Sequence, residues 1–100
     1  MSEQKGVLQE VFEAVKVSEK FTKRMFILNT AGDYPQEIEF QLSQNNCGLI
    51  DAFGIGQEIN VNYNLRGRKW TNPQGEDKYF NTLDVWKIEQ IGEPTNQPNF

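Results

Sequence analysis

The sequence predicts an all-β domain: a small closed barrel of five strands with one short helix. Three observations carry that expectation. Segments rich in Val, Ile, Phe and Tyr recur along the chain, separated by short connections containing Gly, Asn, Asp or Pro. Two of these segments carry apolar residues on both parities, as a strand does when a bulge turns it around a barrel corner. Only residues 46–53 break the pattern, with Leu49, Ile50 and Phe53 at helical spacing.

The first strand is expected over residues 6–17. Leu8 and Phe12 share one parity and Val7, Val11 and Val15 the other, so a bulge or sharp bend is expected within it. Ser18-Glu19 forms a short loop into a second strand over 20–29. Residues 30–33 (Thr-Ala-Gly-Asp) turn the chain, and the third strand covers 34–42 with Pro35 at its start. Setting Asn29 opposite Pro35 pairs Phe26 with Ile38 and Arg24 with Phe40. Phe26, Leu28, Ile38, Phe40 and Leu42 then face the core, while Phe21, Lys23, Met25 and Ile27 share the outer face with Glu37, Glu39 and Gln41. On that face the carboxylates could neutralise Lys23.

A short helix over 46–53 ends at Gly54 and Gly56 and plugs one end of the barrel. The fourth strand, 58–68, alternates most clearly. Ile59, Val61, Tyr63 and Leu65 form one face, and Asn60, Asn62, Asn64 and Arg66 the other, a row that continues to Arg68 and Trp70 unless Gly67 is a bulge. Asn72-Pro73 and Gln74-Gly75 are turn dipeptides. The fifth strand, 79–90, changes parity between Val85 and Trp86, which implies another bulge and places Trp86 in the core. Residues 1–5 are expected to be a flexible lead-in, 6–90 the folded domain and 91–100 a disordered tail of low apolar content.

Composition narrows the function. One hundred residues build one domain with one modest core. No apolar run approaches the roughly 20 residues that span a bilayer, and the polar N-terminus lacks a signal region, so no membrane partner and a cytoplasmic location are expected. There is no histidine, and the single cysteine, Cys47, has no histidine base to activate it. Without a phosphate loop, a nucleophile or carboxylates at metal-ligand spacing, neither an enzyme nor a cofactor or metal site is expected.

The net charge of −4 hides a local asymmetry. Residues 16–24 hold Lys16, Lys20, Lys23 and Arg24 against Glu19; residues 65–78 hold Arg66, Arg68, Lys69 and Lys78 against Glu76 and Asp77. Eight of the ten cations thus lie in two short windows, so the relevant field is local. Five strands with a helix between the third and fourth match the order of an OB fold, a Greek-key barrel whose binding face is strands two and three, flanked by the loops one–two and four–five. Both basic windows fall on those loops. The candidate nucleic-acid-binding residues are therefore Lys16, Lys20, Phe21, Lys23, Arg24, Asn62, Asn64, Arg66, Arg68, Lys69, Trp70, Lys78 and Tyr79. The cations would follow phosphates and the rings would stack on bases.

Family resemblance points the same way. Tyr34-Pro35 with Ile38-Glu39-Phe40, then residues 49–53 (Leu-Ile-Asp-Ala-Phe), 55–61 (Ile-Gly-Gln-Glu-Ile-Asn-Val), 79–83 (Tyr-Phe-Asn-Thr-Leu) and 86–88 (Trp-Lys-Ile) resemble a bacterial and phage domain family of unknown function. That family is itself similar to OB-fold single-stranded DNA-binding proteins. The resemblance covers about residues 6–90 and implies the fold, single-stranded DNA as partner with RNA as the second candidate, and a setting among replication or repair proteins. Where the family often carries a basic residue on the fifth strand, this chain has Asp84. A homo-oligomer would raise affinity by linking grooves. The alternative is a protein-interaction module anchored by the Trp70 hairpin, since Trp and Arg are enriched at interface hot spots. The ending Gln97-Pro98-Asn99-Phe100 faintly resembles the partner-recruiting tails of single-stranded DNA-binding proteins.

Overall fold

The structure, a computed structural model, describes residues 2–91. The expected tail thus falls almost wholly outside the described residues. Six strands, β1 (Ser2–Val11), β2 (Val15–Ser18), β3 (Phe21–Asn29), β4 (Glu37–Ser43), β5 (Glu58–Thr71) and β6 (Asp77–Gln90), form one sheet in the order β1-β5-β6-β4-β3-β2. An added β1–β3 pairing closes it into a barrel. A 3-10 helix, Gln44–Ala52, lies between β4 and β5. The architecture is the OB fold, with the first strand of the five split into β1 and β2.

The split and the closure share one cause. β1 pairs with β5 from Ser2 to Val7 and with β3 from Val7 to Val11, so it bends between its two partners, and its register with β3 slips between Leu8 and Glu10. This is the bulge that the mixed parity foretells. At Gly6, where the strand turns, a Cβ would lie 2.5 Å from the Asn29 carbonyl oxygen, so only glycine lets the two backbones approach this closely. Ser2–Lys5 are not a loose lead-in but pair residue by residue with Tyr63–Asn60.

The core is Leu8, Phe26, Leu28, Phe40, Leu42, Ile50, Ile59, Val61 and Val85, each at most 1 % exposed. Phe26 stacks on Phe40 at 5.5 Å between ring centroids, and Tyr63 meets Phe40 edge-on at 5.2 Å. The core parity of β3 and β4 is as expected, but the register differs by two residues. Phe26 pairs with Phe40 and Arg24 with Leu42, because β4 begins at Glu37 and Tyr34-Pro35 stay in the loop. Reciprocal bonds hold that loop: the Thr30 amide donates to the Gln36 carbonyl and the Gln36 amide to Thr30 Oγ1, each at 2.9 Å. A slip of two preserves the buried face, which explains why parity alone does not reveal it.

The plug is a 3-10 helix rather than an α-helix and starts two residues before the expected position. With three residues per turn, Cys47, Ile50 and Phe53 share one face. Ile50 is fully buried, and Cys47, Leu49 and Phe53 pack against the core. Burial holds the Cys47 thiol above its ordinary pKa, only partly opposed by Arg24, so it is a packing group rather than a thiolate.

Candidate nucleic-acid interface

Strands β5 and β6 pair without interruption from Tyr63–Val85 out to Thr71–Asp77, running past the barrel as a two-stranded arm. Its five-residue tip is fastened by Asn72. The Asn72 Oδ1 accepts from the amides of Gln74 (3.0 Å) and Glu76 (2.8 Å), its Nδ2 donates to Glu76 Oε1 (2.9 Å), and Gly75 takes φ +86°. The single slip, between Asn62 and Tyr63, leaves Trp86 as the extra residue. Trp86 is 38 % exposed, so it is not a core residue as the sequence suggested. Gly67 is no bulge: it sits opposite Asn81 in continuous register.

Because directly opposed residues share a face, the register sorts the arm into two sides. One side carries the pairs Arg66–Thr82, Arg68–Phe80 and Trp70–Lys78; the other carries Leu65–Leu83, Gly67–Asn81 and Lys69–Tyr79. The first side curls toward the outer face of β3 and β4. Between them lies a groove lined by Phe21, Lys23, Gln41, Ser43, Arg66, Arg68, Phe80, Thr82 and Asp84, with Val17 of β2 at one edge.

Of the residues singled out from sequence, Phe21, Lys23, Arg66 and Arg68 line this groove. Trp70 and Lys78 stand on the same side of the arm, one pair beyond Arg68–Phe80. The others lie elsewhere. Lys16 opposes Thr22, hence the opposite face from Lys23, and Lys20 sits in the β2–β3 turn, its carbonyl bound by Gln44 Nε2 at 2.5 Å. Arg24 has the core parity of β3. Its Nε donates to the Phe12 carbonyl (2.8 Å) and its Nη1 to Asp51 (2.9 Å) and the Cys47 carbonyl (3.3 Å), so it clasps β1 and the plug to the barrel. Lys69 and Tyr79 are on the far side of the arm.

Asn62 is 7 % exposed rather than an outward contact, and donates to Glu89 Oε1 at 3.1 Å. Asn60 donates to the same oxygen at 3.1 Å. The Asn62 and Asn60 hydrogen bonds, with Lys87 beside them, keep the Glu89 carboxyl below its ordinary pKa. Asn64 is half-buried opposite Asp84 and does not line the groove.

Phe80 was missed. It is 47 % exposed and faces Phe21 across the groove. The signal was present, since a five-residue turn at 72–76 pairs Thr71 with Asp77 and so places Phe80 against Arg68. Asp84 is also part of the wall. It pairs with Arg66 at 3.1 Å and accepts from Ser43 Oγ at 3.4 Å, beside the Gln41–Asp84 bridge that joins β4 to β6.

The register answers whether Glu37 and Glu39 neutralise Lys23. Lys23 opposes Ser43, whereas Glu39 opposes Ile27 and Glu37 opposes Asn29. Four residues of strand, about 13–14 Å, separate the lysine pair from the Glu39 pair. That exceeds the Debye length of about 8 Å at physiological salt. Among the described residues Lys23 makes no ion pair, no three acidic, Cys or His side chains could hold a metal, and no helix is long and apolar enough to cross a membrane.

Fold and groove together define an OB-fold domain with a cleft on its β3–β4 face, lined by Phe21 and Phe80 together with Lys23, Arg66, Arg68 and Asp84. The chain belongs to the family described as "Domain of unknown function (DUF3127)", which matches residues 3–89. No curated protein matches it. Among solved structures it is similar in fold to the dimeric N-terminal domain of PriB protein from Thermoanaerobacter tencongensis. The TM-score is 0.62 at 14 % identity, over 92 % of this chain and 96 % of that one.

Proposed function

We propose that this domain binds single-stranded DNA in the groove between the β3–β4 face and the arm, with little sequence preference and without catalysis. The observation that carries this reading is the groove's composition: two aromatic rings, Phe21 and Phe80, face one space walled by Lys23, Arg66 and Arg68. Rings accept any base by stacking, worth about 1–3 kcal/mol each, and the cations neutralise the adjoining phosphates. Arg68 and Phe80 are paired across the arm, so one phosphate contact and one stacking platform arrive together. Trp70, 45 % exposed, extends the row toward the tip.

The test is titration of the tryptophan fluorescence with oligo-thymidine at low and high salt. Saturable quenching that weakens with salt is expected. No binding at low salt, or binding that salt does not weaken, refutes the proposal; the same titration with oligo-uridine ranks RNA against DNA.

One observation favours a second reading. Leu65 (69 % exposed) and Tyr79 (73 % exposed) lie on the side of the arm turned away from the groove. An apolar surface there suits a protein partner, as the hairpin-module alternative requires. Retention of a partner by wild type and equally by Tyr79→Ala would count against it.

A further inference from the structure

The side of the arm turned away from the groove carries Leu65–Leu83, Gly67–Asn81 and Lys69–Tyr79 as successive pairs. At its root Leu65 and Leu83 share a second cleft with Met25 and Ile38, and Glu37 and Glu39 line the same cleft. Glu37 is held in place, its Oε1 accepting from Gln9 Nε2 at 2.7 Å, an amide contact that leaves its charge uncancelled. Neither Glu37, Glu39 nor Lys69 makes an ion pair among the described residues. One end of this side is thus apolar and acidic, the other aromatic and basic. Between them Gly67 adds no side chain, and Asn81 lies over it, its Oδ1 3.3 Å from where a Cβ would stand.

We infer that this side of the arm is the interface of a homodimer, two arms packing face to face and antiparallel about the Gly67–Asn81 pair. The inference deepens the second reading above by naming the protein partner, a second copy of this chain. A two-fold axis at that pair sets Lys69–Tyr79 of each copy over Leu65–Leu83 of the other, because the two pairs flank it at equal spacing on one face. The surface is then complementary to itself. Tyr79 covers the second copy's Leu65 and closes its apolar cleft, while Lys69 meets the second copy's Glu37 and Glu39. On the axis Gly67 lets the ribbons approach, and the two Asn81 amides, each donor and acceptor, bond to one another. An axis at the Lys69–Tyr79 pair would instead oppose two lysines. Asp77, on the same side beyond Lys69, accepts from its own Thr71 hydroxyl at 2.7 Å. The Arg66–Arg68–Phe80 side of each arm stays on the outside of the pair, so both grooves remain open.

Sedimentation equilibrium of the full chain over the micromolar-to-millimolar range tests this. The wild type should show a monomer–dimer equilibrium, and Tyr79→Ala should weaken the dimer by about tenfold or more. Two charge variants make the decisive pair. Lys69→Glu alone sets like charges against Glu37 and Glu39, and Glu37→Lys/Glu39→Lys alone sets them against Lys69, so each should be monomeric where the wild type is dimeric. Mixed in equal amounts the two should form a heterodimer, since both contacts are then between opposite charges. Every substituted side chain is exposed, so wild-type circular-dichroism spectra are expected as the folding control. Binding of a strand too short to bridge two grooves should be unchanged per groove. A dimer that Tyr79→Ala or both charge variants leave intact, or charge variants that stay monomeric when mixed, overturns the inference. A wild-type monomer throughout the range overturns it too, but not the second reading, which stands or falls on whether Tyr79→Ala retains a different partner as well as the wild type does.

Discussion

Residues 16–24 and 65–78 each hold four cations, yet the barrel uses them in opposite ways. In the first window the turn and the alternation of β2 and β3 scatter the charges: Lys16 to one face, Lys23 to the other, Lys20 to the turn, Arg24 into the structural clasp. In the second window the spacing of two between Arg66, Arg68 and Trp70 matches the strand period, and the partner strand adds Lys78 and Phe80 on the same side. A charge count therefore says little until strand parity is known. The proposed binding residues concentrate in the window whose charges repeat with the period of its secondary structure.

The strongest way to break this comparison is to remove the Arg68–Phe80 pair. Phe80→Ala should weaken oligo-thymidine binding by about 1–3 kcal/mol, or roughly 5- to 150-fold, with little change in melting temperature because the ring is half exposed. Arg68→Ala should lower the slope of log affinity against log salt by about 0.7, the value of one single-strand phosphate contact. Full affinity in Phe80→Ala would remove the groove from the binding site.

The converse variant lies in the first window. Arg24→Ala leaves the Phe12 and Cys47 carbonyls and Asp51 without their shared donor. A cost of about 2 kcal/mol follows, or roughly 8–16 °C in melting temperature for a domain of this size. Below its midpoint the variant should bind DNA as the wild type does. A loss of affinity without a loss of stability would return Arg24 to the binding residues.

A smaller effect is expected at Asp84, the acid that lines the groove beside Arg66. Asp84→Asn releases Arg66 from its 3.1 Å ion pair and removes one repelling charge. Binding should tighten by about two- to fivefold, and the salt slope should steepen by about 0.7. Weaker binding would instead make Asp84 a positioning residue for Arg66.

Much of this could be read from the sequence, for reasons that particular residues make plain. The core face of β3 and β4 follows from alternation, and both foreseen bulges, at Leu8–Glu10 and at Trp86, lie where apolar residues occupy both parities. Three things were hidden. The β3–β4 register depends on a seven-residue loop held by Thr30 and Gln36, and a slip of two leaves the hydrophobic pattern unchanged. Asn60 and Asn62 look like an outward polar row, yet Glu3 and Glu89 of the neighbouring strands close over them. Arg24 looks like any surface cation; its role as a clasp depends on carbonyls 12 and 23 residues away in sequence.

The smallest predicted effect discriminates best between the two sides of the arm. Lys16 and Lys69 are exposed cations, one from each window, and both face away from the groove by register: Lys16 opposes Thr22, and Lys69 opposes Tyr79. Their removal takes the same charge from the protein as losing Arg66 and Arg68 together. If net charge governed binding, Lys16→Ala/Lys69→Ala would cost as much as the arginine pair and lower the salt slope by about 1.4. If the face governs, the loss stays below about twofold and the slope is unchanged, because phosphates bound in the groove do not release their counterions to lysines on the other side of a sheet. A full drop in slope would move the nucleic acid onto the Lys69–Tyr79 side and leave the Phe21–Phe80 groove to another ligand.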